Sequence, residues 1–271
     1  MNVLRPPRIP LFGIQIDPVT MHQALAQSLA WVTEPLRKCH LIVTPNLDHV
    51  VRLPHNEAMR GAYKRADLVV ADGWPVVMAS RWLGRPLPER VAGSDLVPGL
   101  LAAGRQEGMT VYLLGGLPGV AQVAADRIVR DWPGVRIVGT YSPPWGFERD
   151  DAECARILQR IDEARPDLLV VGFGAPKQEI WLARFADRLT CKVAIAAGAT
   201  IDFLAGQQVR APRWLQRFGL EWAYRLARDP RRLARRYLQD AICFPGLLWR
   251  EWTGGIPGVT RWGSPRRKHG S

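Results

Sequence analysis

Asp72 closes the apolar run Leu68-Val69-Val70-Ala71 and is followed by Gly73-Trp74-Pro75. An acid straight after such a run sits at a strand end, partly desolvated, where its basicity rises and it can take a proton. A hydroxyl attacking an electrophilic carbon needs such a base. The same residue also reads as an Asx-turn acid that shapes the Asp-Gly bend. Two glycine-rich turns follow, Gly115-Gly116-Leu117-Pro118-Gly119 and Gly172-Phe173-Gly174-Ala175-Pro176-Lys177-Gln178-Glu179, each between an apolar run and a helical pattern. Glycine lets the backbone approach a phosphate, and a helix N-terminus offers free N–H groups and partial positive charge. Each turn reads either as a diphosphate cradle or as a tight strand-to-helix connection. Neither fits a dinucleotide fingerprint or a Walker loop. Thr44, Asn46, Arg90, Asp95, Gln178 and Asp202 are further candidate substrate contacts, and each also reads as a cap or surface residue.

These residues need a frame that gathers them. The first 205 residues alternate short apolar runs with helical patterns, which is the mark of an α/β, Rossmann-like domain on a mostly parallel sheet. Strands are expected at 40–44, 68–71, 110–114, 136–139, 168–172 and 193–196. Helices are expected at 20–33, 54–65, 93–107, 119–132, 150–165 and 178–189. Uninterrupted runs such as Leu168-Leu169-Val170-Val171 suit strands covered on both faces. Ligands of such sheets bind at the carboxyl ends of the strands, and every candidate loop follows a strand.

Charge divides the chain differently. Of 37 Lys+Arg and 25 Asp+Glu, residues 206–271 carry 14 and 4, so most of the net charge of +12 lies there. A near-neutral body with a basic end implies an anionic partner, either nucleic acid or a membrane surface. The end reads as two or three basic amphipathic helices, with Pro230 breaking or starting one, and as loosely ordered over its last 25 or so residues. This gives a catalytic domain over 1–205 and a helical appendage over 206–271; removing the appendage is expected to leave the core folded. The four cysteines, Cys39, Cys154, Cys191 and Cys243, are too dispersed for a disulfide framework or a zinc site and read as reduced thiols of a cytosolic protein. The N-terminal residues show no signal-peptide run, and no stretch reaches the ~18 apolar residues of a membrane span.

In order along the chain, TPNLDHV, ADGWPVV, RVAGSDL, LLGGLPG, PDLLVVGFGAPKQEIW, GATIDFLAG and RAPRWLQRFGLEWAYRLARDPRRLARRYL closely resemble the WecG/TagA/CpsF glycosyltransferases, glycosyltransferase family 26. The resemblance spans roughly residues 10–240. It implies inverting, β-linkage-forming transfer of an N-acetylmannosamine-type sugar, its uronic acid or glucose from a UDP-sugar to a polyprenyl-diphosphate-linked saccharide. It implies Asp72 as base, Thr44 and Asn46 near the reacting sugar, Arg90 and Gln178 on donor or phosphate, and Asp202 at the nucleotide. Arg225, Arg232 and Arg235 correspond to the family's C-terminal arginines. With no Asp-x-Asp in the chain, no metal or other cofactor is expected. Gly115, Gly116, Gly172, Gly174, Lys177 and the arginines would then serve the diphosphate. The basic helices would hold the protein on the inner face of the cell membrane and complete the site there. Oligomeric state is left open.

Three rivals are weaker. A nucleic-acid-binding protein accounts for the basic end but leaves the ordered loops without a purpose. A nucleotide-dependent oxidoreductase lacks the dinucleotide fingerprint. An inactive sugar-nucleotide-binding scaffold has no reason to keep Asp72 and the arginines together.

Overall fold

A computed structural model describes residues 6–35, 38–212, 215 and 219–254. Six parallel strands form one sheet in the order β4-β3-β8-β7-β5-β6. They are β3 (His40–Val43), β4 (Leu68–Val69), β5 (Thr110–Gly115), β6 (Arg136–Tyr141), β7 (Leu168–Gly172) and β8 (Val193–Ala196). All six expected strands are present. Their side chains alternate between two cores: Leu169, Val171, Ala194 and Ala196 face one, while Leu168, Val170, Val193 and Ile195 face the other. Apolar residues at every position are what a sheet covered on both faces requires.

One face carries α2 (Leu47–Arg52), α3 (Glu57–Arg65), α4 (Trp74–Trp82), α7 (Asp151–Ala164) and α8 (Lys177–Phe185). The other carries α1 (Met21–Thr33), α5 (Gly93–Gly104), α6 (Val120–Asp131) and α9 (Thr200–Leu204). After β5 the chain leaves to α6 on one face, and after β7 to α8 on the opposite face. Adjacent strands whose connections diverge in this way create the topological switch point where open sheets bind ligands.

The six expected helices are present within a few residues, but several elements were not anticipated. An antiparallel hairpin, β1 (Ile9–Leu11) and β2 (Ile14–Ile16), precedes the sheet. Its two-residue turn has positive φ at both Phe12 (53°) and Gly13 (81°), the geometry that matches hairpin twist. The hairpin is tied to the sheet edge because Val69 N–H donates to Asp17 Oδ2 at 2.8 Å. Helices α2, α4 and α9 fill stretches that the sequence assigns to loops or leaves unassigned.

The C-terminal region forms α10 (Glu221–Arg228) and α11 (Pro230–Trp252). Pro230 starts a helix, as the sequence allowed. The looseness expected from about Gly246 onward is not found up to Trp252, and Pro245 lies inside the helix. Tertiary contacts explain why the helix survives the donor that Pro245 removes. Phe244 meets Phe12 with ring centroids 5.8 Å apart, Leu247 enters the core, and Glu251 pairs with Arg85 at 2.8 Å with its side chain fully covered. The C-terminal helix thus packs on the α/β body as part of the same core. No helix among the described residues is long and apolar enough to cross a membrane. Residues 255–271, where the rest of the loose tail was expected, lie outside the described residues.

Candidate active site

The carboxyl edge of the sheet draws the candidate loops together through the backbone. Asp72 N–H donates to Pro45 O at 2.9 Å, and Val91 N–H to Ala71 O at 2.8 Å, which joins the loops after β3 and β4 to the segment carrying Arg90. Thr44 Oγ1 donates to Ala196 O at 3.3 Å and lies against Gly93, where an added Cβ would come within 3.4 Å of that oxygen. Thr44 therefore links the ends of β3 and β8 to the start of α5. Asn46 caps α2, its Oδ1 accepting from His49 N–H at 3.3 Å, and stands beside Gly73.

Glycine is required where β5 and β7 end. Gly115 has φ +123°, and a Cβ there would lie 2.5 Å from Gly172 O. Gly116, also at positive φ, donates its N–H to that same carbonyl at 3.1 Å. Gly174 has φ +79° with open space around it. Among the described residues, α4, α5, α6 and α8 begin without a side-chain cap. Part of their first turns is closed by backbone carbonyls, since Val120 N–H donates to Leu117 O at 3.0 Å and Gln178 N–H to Gly174 O at 3.2 Å; an anion would meet the N–H groups left over.

Asp72 sits at the centre of a charged cluster. Arg90 Nη1 lies 3.6 Å from Asp72 Oδ1 and 3.5 Å from Glu221 Oε2, and its Nη2 donates to Asp95 Oδ2 at 2.9 Å. Arg210 grips Asp95 with both terminal nitrogens, at 2.5 and 3.0 Å. Burial works against the Asp95 charge, but the hydrogen bonds and charge of Arg210, with Arg90, hold that carboxyl below its ordinary range. Asp72 goes the other way. Burial pushes it up to about 7, helped by Glu221 and Asp95 and opposed by Arg90 and Arg225. Its side chain still keeps 24% exposure. A carboxyl that is half ionised near neutrality and open to solvent on one side suits a general base.

The remaining candidates are spread more widely. Lys177 starts α8, lies 3.7 Å from Glu148 Oε1, and sits over the exposed Trp145 ring at 4.0 Å. Asp202 accepts from Gln208 Nε2 at 3.2 Å. Arg225 lies over the Phe203 ring at 5.7 Å and within electrostatic reach of Asp72. Arg235 is exposed on α11, and the side chain of Arg232 lies outside what is described. Gln178 is buried: its Oε1 accepts from Gly198 N–H at 3.1 Å and its Nε2 donates to Glu179 Oε1 at 2.8 Å. It thereby pins the loop after β8 to α8. Beneath it, His49 Nδ1 and Tyr63 OH share a hydrogen bond at 2.6 Å.

Sequence reasoning missed Arg210 and Glu221 as members of the cluster. Both stand in the stretch RAPRWLQRFGLEWAYR, but a residue more than 100 positions from Arg90 gives no spacing signal; only the fold brings it there.

The chain matches the model of the glycosyl transferase WecG/TagA/CpsF family over residues 9–256, nearly its whole length. It belongs to this family. Among curated proteins, the chain is 34% identical over 219 residues to the N-acetylglucosaminyldiphosphoundecaprenol N-acetyl-beta-D-mannosaminyltransferase of Bacillus spizizenii, covering 81% of this chain and 82% of that protein. It is 28% identical over 228 residues to the protein of the same name from Staphylococcus aureus strain MRSA252, covering 84% and 87%. The family match spans both the body and helices α10 and α11, and the charged cluster that unites them lies wholly within it.

Proposed function

We propose that this glycosyltransferase moves an N-acetylmannosamine-type sugar from a UDP-sugar to a polyprenyl-diphosphate-linked saccharide, with inversion at the anomeric carbon. Support for the acceptor comes from the relatives, whose name specifies N-acetylglucosaminyl-diphosphoundecaprenol as the substrate they modify. The observation that carries the chemistry is Asp72, raised to about 7 at the carboxyl edge of the sheet and set beside Arg90. In the reaction the acceptor hydroxyl gives its proton to the Asp72 carboxylate as its oxygen bonds to the anomeric carbon. The bond from that carbon to the diphosphate oxygen breaks, and the electron pair leaves with UDP. Arg225, Arg232, Arg235 and Lys177, with the N–H groups of the glycine turns and helix starts, carry the developing negative charge, so the chain supplies the work otherwise given to a metal. Thr44, Asn46 and Asp202 orient the sugar and nucleotide. The sugar's uronic acid and glucose are the other donors the family resemblance allows.

A polyprenyl-linked acceptor is met at a membrane, and the protein's exposed surface supports that setting. Leu238, Ile242, Trp249 and Trp252 are exposed on α11, and Leu220 and Trp222 are exposed at α10. With Arg231 and Arg250 exposed on the same helix, these residues form an amphipathic surface suited to an anionic leaflet. Transfer is tested with a panel of UDP-sugars against a synthetic lipid-diphosphate-linked N-acetylglucosamine, scored by UDP release. UDP release with an N-acetylmannosamine donor, dependent on the acceptor, supports the assignment; release that ignores the acceptor defeats it. Sedimentation with vesicles containing phosphatidylglycerol tests the surface.

A further inference from the structure

Arg90 is contested. Its Nη1 stands between Asp72 Oδ1 at 3.6 Å and Glu221 Oε2 at 3.5 Å, while its Nη2 is held by Asp95 at 2.9 Å. Both contested oxygens lie within 3.6 Å of one nitrogen, which puts them about 7 Å apart at most. Asp95 is already satisfied by the two-pronged grip of Arg210. Nη2 of Arg90 is thus committed to Asp95, and Nη1 is left between a carboxylate of the sheet edge and one that arrives with α10.

We infer that Glu221 is a positioning residue for transfer: by drawing Arg90 partly away from Asp72, it leaves the Asp72 carboxylate free to accept the proton. The C-terminal segment on this view contributes an acid to the site as well as arginines, and its docking sets the strength of the base. A carboxylate fully paired with a guanidinium is a poor base, because protonation must first surrender the pair. Glu221 prevents that pairing from closing without adding a group that touches the acceptor. This inference rests on the reading of Asp72 as the base.

Charged or titratable groups from several elements enter the balance at Asp72. Arg90 comes from the segment after α4, Asp95 from α5, Arg210 from the segment after α9, Glu221 and Arg225 from α10, and Tyr63 from α3. Of these, only Glu221 competes with Asp72 for the same guanidinium nitrogen.

The test follows the Asp72 carboxyl by NMR titration in full-length protein carrying 13Cγ-aspartate, its signal identified by loss in Asp72→Asn. Removing a negative charge at that range, with partial solvent access, should move the Asp72 midpoint about one pH unit to the acid side in Glu221→Gln. Glu221→Asp, which keeps the charge, should move it less than half as far. Glu221→Ala serves as the neutral variant should the glutamine form fail to fold. An unmoved midpoint in a folded neutral variant overturns the inference, and so does equal movement in the neutral and aspartate variants, which would signal lost packing. The two readings fail separately. If Asp72→Asn keeps its turnover, the base assignment falls and this inference with it; if Asp72→Asn is inactive and the midpoint stays put, only the role of Glu221 is lost.

Discussion

Asp72→Asn should make the protein more stable, and more so at alkaline than at acid pH. The Asp72 carboxyl is raised by burial to about 7, against 3.8 for a free aspartate. A group whose folded value is raised stabilises fully below its unfolded value, and the benefit drains away as pH climbs through the folded one. Wild-type stability from this group should thus fall between about pH 4 and pH 7 and then level off. Linkage over that window makes the penalty about 2.6 kcal/mol larger at pH 8 than at pH 5, and roughly 2 kcal/mol after allowing for the side chain's partial exposure. Asparagine carries no such penalty. For a chain of this size each kcal/mol is worth about 2–4 °C, so the gain in melting temperature of Asp72→Asn over wild type should be about 4–8 °C larger at pH 8 than at pH 5. Differential scanning calorimetry at the two pH values decides it. A gain that is the same at both, or that reverses at pH 8, would show that the carboxyl is not held in the raised state and would refute the electrostatic reasoning behind the site.

Other consequences follow from the same structure. Gly115→Ala combines a positive φ with a Cβ that would strike Gly172 O, and should lower stability by at least about 2 kcal/mol and weaken UDP binding, read by melting temperature and calorimetric titration. Leu247→Ala opens the junction of α11 with the core and should cost about 2 kcal/mol, or roughly 4–8 °C in melting temperature; no loss would mean that α11 is not docked. Truncation after residue 205 should accordingly destabilise the body, through exposure of Phe12 and loss of the Glu251 partner of Arg85, as limited proteolysis would detect. Asp240, buried on α11 and pushed up to about 6 by burial and by Asp48, is likewise stabilising at low pH and costly above it. Asp240→Asn should therefore stabilise by up to about 3 kcal/mol at pH 7.5 and by little at pH 4, measured by urea unfolding.

The inner strands β3, β5, β7 and β8 are legible because they are buried on both faces and so are written as nearly unbroken apolar runs, which no amphipathic helix imitates; β6, at the sheet edge, is partly exposed. The rim was legible for a related reason: Gly115 and Gly172 are glycines because two backbones approach there, and Asp72 follows its strand directly. Local chemistry of that kind survives in sequence. The hairpin at Ile9–Ile16 leaves no sequence signal, since its turn places Phe12 at positive φ, where glycine or asparagine is the usual residue. Helices α2 and α4 are hidden in the sequence because their caps and first turns are the same residues that mark the site. Gln178 reads in the sequence as a contact to donor or phosphate, and the structure adds that its amide also binds Gly198 and Glu179 inside the fold. Least legible were Arg210 and Glu221, whose meaning depends on partners far away in the chain, and the order of α11 past Pro245, which depends on Phe12, Arg85 and the core beneath them.

The most direct test of the account is turnover by Asp72→Asn with a UDP-sugar donor and a lipid-diphosphate-linked N-acetylglucosamine acceptor, alongside its affinity for UDP. Losing a positioned base should slow UDP release by about 100- to 10,000-fold while UDP affinity stays near that of wild type. Turnover within a few-fold of wild type, in a variant that still binds UDP, would contradict it.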